Sequence, residues 1–287
     1  MDIIASILVP TLIDAIAVLG LYVIAASGRL SAGHAAFFGI GGYASGLVSV
    51  HLGLPVPVSL IAGVAFSAIC GALFALLADR LTHWFFAVAT LALAAMVLGL
   101  VSGLDALGGA TGLYHIPLWT GMTQAVAGLA AAIALVVWLD ASMLGRAMRA
   151  VRDSELAARS LAIDPTRVRV IAFAIGAGLA GLAGGLWAHS VGIIKPSDMS
   201  LEHSLLYLVY LSIGGVDLWA GALFGTFLLS LLPEIVRFSG QYRLAAFGAL
   251  LTLVMIVRPA GLVTGREIDR IKSLFRGKRM VDPSETG

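Results

Sequence analysis

Cysteine occurs once in 287 residues, at Cys70, which excludes a disulfide framework and any cysteine-based metal site. Charge is also scarce. Only 12% of residues are Asp, Glu, Lys or Arg, against about 25% in an ordinary soluble domain. The net charge of +2 is too small to suggest a nucleic-acid partner. There is no Gly-x-x-x-x-Gly-Lys-Ser/Thr loop for holding nucleotide phosphates, no His-Glu-x-x-His and no Gly-x-Ser-x-Gly. No clustered intramembrane carboxylates are found either, so no catalytic centre is predicted.

What is abundant is apolar surface. Hydrophobic residues make up 60% of the chain, where soluble domains hold about 45–50%, and the mean hydropathy is +1.00. Glycine supplies 34 residues, above the usual share of about 7%, as suits close helix packing in lipid. Disordered, fibrous and small secreted classes are excluded. The composition predicts an all-α, polytopic membrane bundle of about 8–9 transmembrane helices.

A bilayer-crossing helix needs about 20 mostly apolar residues. Nine segments qualify, at roughly 3–26, 30–50, 56–78, 83–104, 120–140, 166–192, 200–216, 218–236 and 243–258. The second holds Gly33, Gly39, Gly41, Gly42 and Gly46, and the seventh is short and ends at Gly214–Gly215. Both are candidates for broken or re-entrant segments, which survive only where protein or a wet cavity covers the backbone. The start, Met1-Asp2-Ile3, lacks a basic leader, so no removable signal peptide is expected.

Lysine and arginine set the expected orientation. Six of the 18 lie in 146–169 and seven in 258–279. Placing both segments in the cytoplasm also places Arg29 and Arg80 there, leaving only Lys195, Arg237 and Arg243 outside. The N-terminus is then outside and the C-terminus cytoplasmic, as nine spans require. The division expected is a transmembrane domain over 1–263, with a cytoplasmic loop at 141–165, and a basic tail over 264–287. Ile268, Ile271, Leu274 and Phe275 recur at helical spacing in that tail, which suits the anionic inner leaflet.

The loop carries the one substantial charged stretch inside the hydrophobic body. Asp153 is the expected N-cap of a short helix, with Ser154 and Glu155 in its first turn and an end near Ile163. Asp164 and Pro165 then read as N-cap and first residue of the sixth span. The short helix reads equally as an interfacial connector or as an element that docks in a groove of a cytoplasmic partner. In the sixth span, Ala177, Gly181 and Gly185 form a small-residue ladder whose expected use is packing within the chain.

Several stretches resemble the branched-chain amino acid permeases of ABC importers. Ser27-Gly-Arg-Leu-Ser-Ala-Gly-His34-Ala-Ala-Phe-Phe-Gly-Ile-Gly-Gly-Tyr43 resembles the signature of their second helix. Gly108–Gly112 with Ile116-Pro117 resembles a glycine-rich outer loop, Arg149–Ile163 the loop for the ATPase, and Arg258-Pro-Ala-Gly-Leu262 the usual ending. The likeness spans about residues 20–263 and is nearest to the LivM-type subunit. One departure stands at Ala162, where importer loops commonly place glycine.

The resemblance implies a permease subunit without catalytic groups, paired with a second homologous permease. Two separate ATPases would bind ATP and Mg, and a soluble binding protein would deliver the ligand; the chain itself needs no cofactor. Arg149, Arg152, Asp153, Glu155, Ala157, Ala158, Arg159 and Ala162 would form the coupling contact. Gly33, His34, Phe37, Gly39, Gly41, Gly42 and Tyr43 are the candidate substrate path, the glycines opening backbone to a cavity and the rings supplying apolar surface. Tight packing explains the same glycines, and a hydrogen-bonded packing function explains His34. His189 and Cys70 are expected to be structural. Asp14, the only carboxylate well inside a predicted span, is the one feature favouring an ion-driven secondary transporter. The expected ligands are branched-chain or similar apolar amino acids in an inner-membrane importer, with urea or amides as the alternative within the same family.

Overall fold

The computed structural model of the chain describes residues 3–235. The predicted ninth span and the basic tail lie outside the described residues. Within them the chain is helical, in the order α1 (Ile3–Ala26), α2 (His34–His51), α3 (Val56–Ala78), α4 (His83–Gly103), α5 (Met122–Ala141), α6 (Met143–Asp153), α7 (Glu155–Ser160), α8 (Pro165–Val191), α9 (Leu201–Gly214) and α10 (Trp219–Ile235). Single 3-10 turns and one isolated bridge, Leu113 to Ile194, fill the connections.

Five helices, α1, α3, α4, α5 and α8, are each long and apolar enough to cross a membrane. α9 and α10 qualify as a pair bent by 118°, where Gly215 adopts φ +109°, a conformation that favours glycine. At about 1.5 Å per residue, α9 is only about 21 Å long. The suspected break in the second span is not there. α2 is one unbroken helix of 18 residues, and the irregular backbone lies ahead of it, at 27–33.

α1 and α8 are the centre of the bundle. α1 is buried along nearly all of Leu12–Ala26, packing on α5, α8, α9 and α10, and α8 packs on α1, α2 and α3. A helix apolar on every face is expected in such a place. By contrast α3, α4 and α5 leave Ile61, Phe66, Leu77, Trp84, Phe85 and Trp138 exposed, an apolar surface suited to lipid or another subunit.

Glycine makes the central crossings possible. A Cβ on Gly41 would run into the backbone of Gly181, and one on Gly184 into the carbonyl of Phe38. The Ser67 hydroxyl sits between the carbonyls of Phe37 and Ala177, at 2.9 and 2.7 Å, joining α2, α3 and α8. The ladder of α8 is thus used inside the chain.

The two ends of the bundle differ in charge. One end gathers Arg29, Asp79, Asp140, α6, α7 and Asp217 through mutual hydrogen bonds and ion pairs. All the arginines of the described residues (Arg29, Arg80, Arg146, Arg149, Arg152, Arg159, Arg167 and Arg169) lie at that end. The opposite end joins 104–121 to 192–200, and Lys195 is its only lysine or arginine among the described residues.

Gly41→Ala tests the crossing. With backbone as the obstacle, the substitution is expected to cost about 1–3 kcal/mol, seen as a lower midpoint of thermal unfolding of the solubilised chain. Gly99→Ala, where an added Cβ meets nothing within 4 Å, should leave the midpoint unchanged or raise it. Equal effects would contradict the packing.

Candidate functional site

The polar loop contains two helices where one was expected. Ser142 caps α6 by accepting from the Gly145 amide at 3.2 Å, and Gly145, Met148 and Val151 turn one face inward. Ser154, in extended backbone, then ends α6 and caps α7, accepting from the Ala157 amide at 3.3 Å. The cap is therefore Ser154 and not Asp153, and α7 ends at Ser160 rather than Ile163. Both side chains suit a cap, and adjacent residues of that kind leave the choice to the backbone turn.

α7 closes with two paired bonds, Ala162 N–H to the Arg159 carbonyl at 3.1 Å and Ile163 N–H to the Ala158 carbonyl at 3.0 Å. This is the Schellman arrangement, whose pivot residue is left-handed and usually glycine. Here the pivot is Ala162, at φ +59°. The glycine expected at this position has a physical reason, and alanine carries about 1–2 kcal/mol of strain there.

α7 is fastened to the bundle through Arg169. The guanidinium is 7% exposed and donates to Glu155 Oε2 at 2.6 Å and Asp79 Oδ1 at 3.3 Å. Thr166 donates to the other oxygen of Asp79 at 2.5 Å, and Arg159 to Glu155 Oε1 at 2.9 Å. Hydrogen bonds from Arg159 and Arg169 hold the Glu155 carboxyl at about 2, below its ordinary value of 4.5. Arg29 donates to the carbonyls of Leu81 and Asp79 at 2.6 and 3.0 Å and lies 4.9 Å over the Phe86 ring.

Two further ties complete the attachment. Arg152 meets Asp217 in the α9–α10 turn at 3.4 Å. Arg149 meets Asp140 at 3.6 Å, and Tyr22 of α1 donates to that carboxylate at 2.9 Å. The expected coupling residues therefore divide. Arg149, Arg152, Glu155 and the buried Ala158 engage their own bundle, whereas Asp153, Ala157, Arg159 and Ala162 are exposed, with Leu156 and Leu161 projecting beside them.

The α2 residues are buried together but do not share one wall. Gly33 packs on the Thr90 carbonyl, Gly39 on Met199, Gly41 on Gly181, and Gly42 on Ile194 and Gly184. His34 Nε2 bonds the Ala17 carbonyl at 3.0 Å while Nδ1 has no partner among the described residues. Phe37 packs on the ring of Phe173 at 6.0 Å. Of these, only Tyr43, whose buried hydroxyl has no partner among the described residues, lines a cavity of about 430 Å³ between α2, α3 and α4, with Ile40, Leu47, Phe66 and Val97. His189 bridges Ser45 at 3.1 Å and the Pro117 carbonyl at 2.9 Å, a structural task. Asp14 accepts from Tyr207 at 3.2 Å, near a Thr11–Ser230 bond of 2.9 Å.

Asp79, Asp140, Tyr22 and Asp217 are not singled out by the sequence, and Arg169 enters there only among the six basic residues of 146–169, although a charge just inside an apolar helix requires a partner.

A family model described as the branched-chain amino acid transport system permease component matches residues 3–258. The high-affinity branched-chain amino acid transport system permease protein LivM of Salmonella typhimurium is 30% identical, the alignment covering 88% of this chain and 68% of the relative. LivM of Escherichia coli is 29% identical with the same coverage. LivH of Escherichia coli is 29% identical over 49% of this chain and 46% of its own length. No solved structure matches.

Ala162→Gly should relieve the pivot of α7. Allowing for the greater freedom of glycine in the unfolded chain, the net gain is about 0.5–1 kcal/mol. The expected readout is a higher midpoint of thermal unfolding, and an unchanged or lower one would contradict the strained pivot.

Proposed function

Because this chain belongs to the branched-chain amino acid transport system permease family, we propose that it forms one half of the transmembrane pair of an ATP-driven ABC importer. Its partners are a second homologous permease, two ATPases that bind ATP and Mg, and a soluble protein that delivers branched-chain or similar apolar amino acids. The basic end of the bundle faces the cytoplasm of an inner membrane, following the bias of arginine and lysine, with the N-terminus outside and the C-terminus inside.

The observation that carries this reading is the division of labour on α7. Its outer face offers Leu156, 83% exposed, and Leu161, 70% exposed, as apolar knobs for a groove in the ATPase. Its inner face holds Glu155 on Arg169. A displacement of the loop by the ATPases is then passed to α3 through Asp79, to α8 through Arg169 and to the α9–α10 turn through Asp217. The permease needs two arrangements of its helices, and the ATPases bias one over the other by binding α7 differently in each.

The substrate path runs along α2. Gly33, His34, Phe37, Gly39, Gly41 and Gly42 fix the helix against α8 and its neighbours, and Tyr43 lines the cavity between α2, α3 and α4. Its aliphatic lining of Ile40, Leu47 and Val97 suits a branched side chain.

Leu156→Asp is expected to abolish recovery of the ATPases on pull-down from membranes. Glu155→Gln should retain them but lower leucine uptake at least tenfold, because the inner attachment of α7 is weakened while its outer face is intact. Full uptake by Leu156→Asp, or loss of ATPase recovery by Glu155→Gln, would contradict this assignment.

A further inference from the structure

Asp14 is a carboxylate deep in the bundle that the importer reading leaves without a task. It lies midway along α1, about 17 Å from either end at about 1.5 Å per residue. Every other residue of Leu12–Ala26 is buried, and Asp14 alone in that run keeps a partly accessible surface. The ion pairs of the described residues all lie at the basic end of the bundle, so none of them neutralises this carboxylate. An uncompensated charge at mid-membrane is costly, and residues of this kind mark binding sites and pathways.

The protons around Asp14 are already committed. Tyr207 of α9 donates to Asp14 Oδ1 at 3.2 Å. One turn away on α1, Thr11 donates its only proton to the Ile7 carbonyl at 2.9 Å. In the 2.9 Å contact between Thr11 and Ser230 of α10, Ser230 is therefore the donor. Tyr210 adjoins the same Ser230, which leaves that hydroxyl at least one lone pair. Ser230, like Asp14, is partly accessible, whereas Thr11, Tyr207 and Tyr210 are buried. The two side chains that reach accessible space here thus offer acceptors only, and one of them bears a charge. Such an edge suits a cation.

We infer that Asp14 and Ser230, between α1 and α10, form a binding site for one monovalent cation, either the ammonium group of a solute or a free sodium ion. One carboxylate balances one positive charge, and among the described residues no group of three or more His, Cys, Asp or Glu could hold a metal ion. An ammonium donates charge-assisted hydrogen bonds to such oxygens, and sodium, a hard cation, takes the same ligands. Tyr207 fixes the carboxylate, and its ring packs on Phe38 of α2 at a centroid distance of 6.3 Å, so the site adjoins the helix of the proposed substrate path. That the ammonium belongs to an amino acid rests on the permease reading above; the cation site itself rests on Asp14, Ser230 and their partners.

The test measures binding to the full chain, purified in phospholipid nanodiscs without ATPase or binding protein, in choline chloride. The probes are radioactive sodium, 3-methylbutylamine, which carries the ammonium alone, 4-methylpentanoate, which carries the carboxylate alone, and L-leucine. The amine or sodium is expected to bind saturably, with leucine competing where the amine binds, and 4-methylpentanoate not to bind. The cation that binds more tightly is the source. Asp14→Asn keeps the shape and removes the charge. It should weaken that binding at least tenfold while leaving the unfolding midpoint unchanged or higher, since an uncompensated charge is gone. Ser230→Ala, with the charge intact, should weaken it about threefold, the loss of one neutral acceptor.

Binding of neither the amine nor sodium, binding of 4-methylpentanoate equal to that of the amine, or binding indifferent to Asp14→Asn would overturn the site. Amine binding that leucine does not displace would overturn its link to amino acids. Failure of the two readings is distinguishable in the assembled importer. Leucine uptake by the wild type, with cation binding indifferent to Asp14→Asn, overturns the site alone. A wild-type importer that takes up no leucine, while the isolated chain loses cation binding on Asp14→Asn, overturns the permease reading alone.

Discussion

A guanidinium almost out of contact with solvent sets the terms for this structure. Arg169, held between Asp79 and Glu155, lies at the edge of a bundle whose other helices are apolar. An unpaired charge in that place would cost several kcal/mol, so the arrangement of α3, α7 and α8 around it is strongly constrained. Glu155 in turn belongs to a six-residue helix far too short to persist alone. Thus α7 owes its position on the bundle to the contact made by its first residue.

The second constraint is close approach of backbones. Gly41 against Gly181, Gly184 against Phe38 and Gly20 against Gly176 bring helices within a distance that any side chain would prevent. In lipid, where apolar surface alone does not drive helices together, such contacts supply much of the association. Ser67, bonded to the carbonyls of Phe37 and Ala177, ties α2, α3 and α8 together at the same crossing. The bent α9–α10 pair is tied to the loop by Arg152 and Asp217.

Local sequence made the long helices readable. The third span was expected at 56–78 and is found at Val56–Ala78, and Asp164 with Pro165 does open α8. Apolar run length and cap chemistry act over a few residues, so a window of sequence holds them. The pairs that organise the loop are of another kind, since Asp79 and Arg169 are 90 residues apart and no spacing rule joins them. The glycines of α2 mislead for the same reason. Gly39, Gly41 and Gly42 weaken an isolated helix, and only contacts with Met199, Gly181 and Ile194 show why it stays unbroken. Ala162 was legible in part, as a departure from a familiar loop, but its left-handed backbone follows from the way the chain leaves α7, which no short window of sequence holds.

If the loop and the bundle form one mechanical unit, Glu155 and Arg169 must be energetically coupled. A double-mutant cycle with Glu155→Gln and Arg169→Met, read by thermal unfolding of the purified chain, measures this directly. The account predicts a coupling energy of about 1–3 kcal/mol, as for groups sharing one ion-pair network. Additivity within about 0.3–0.5 kcal/mol would show that the two side chains act independently, and the link between α7 and the transmembrane helices would be lost.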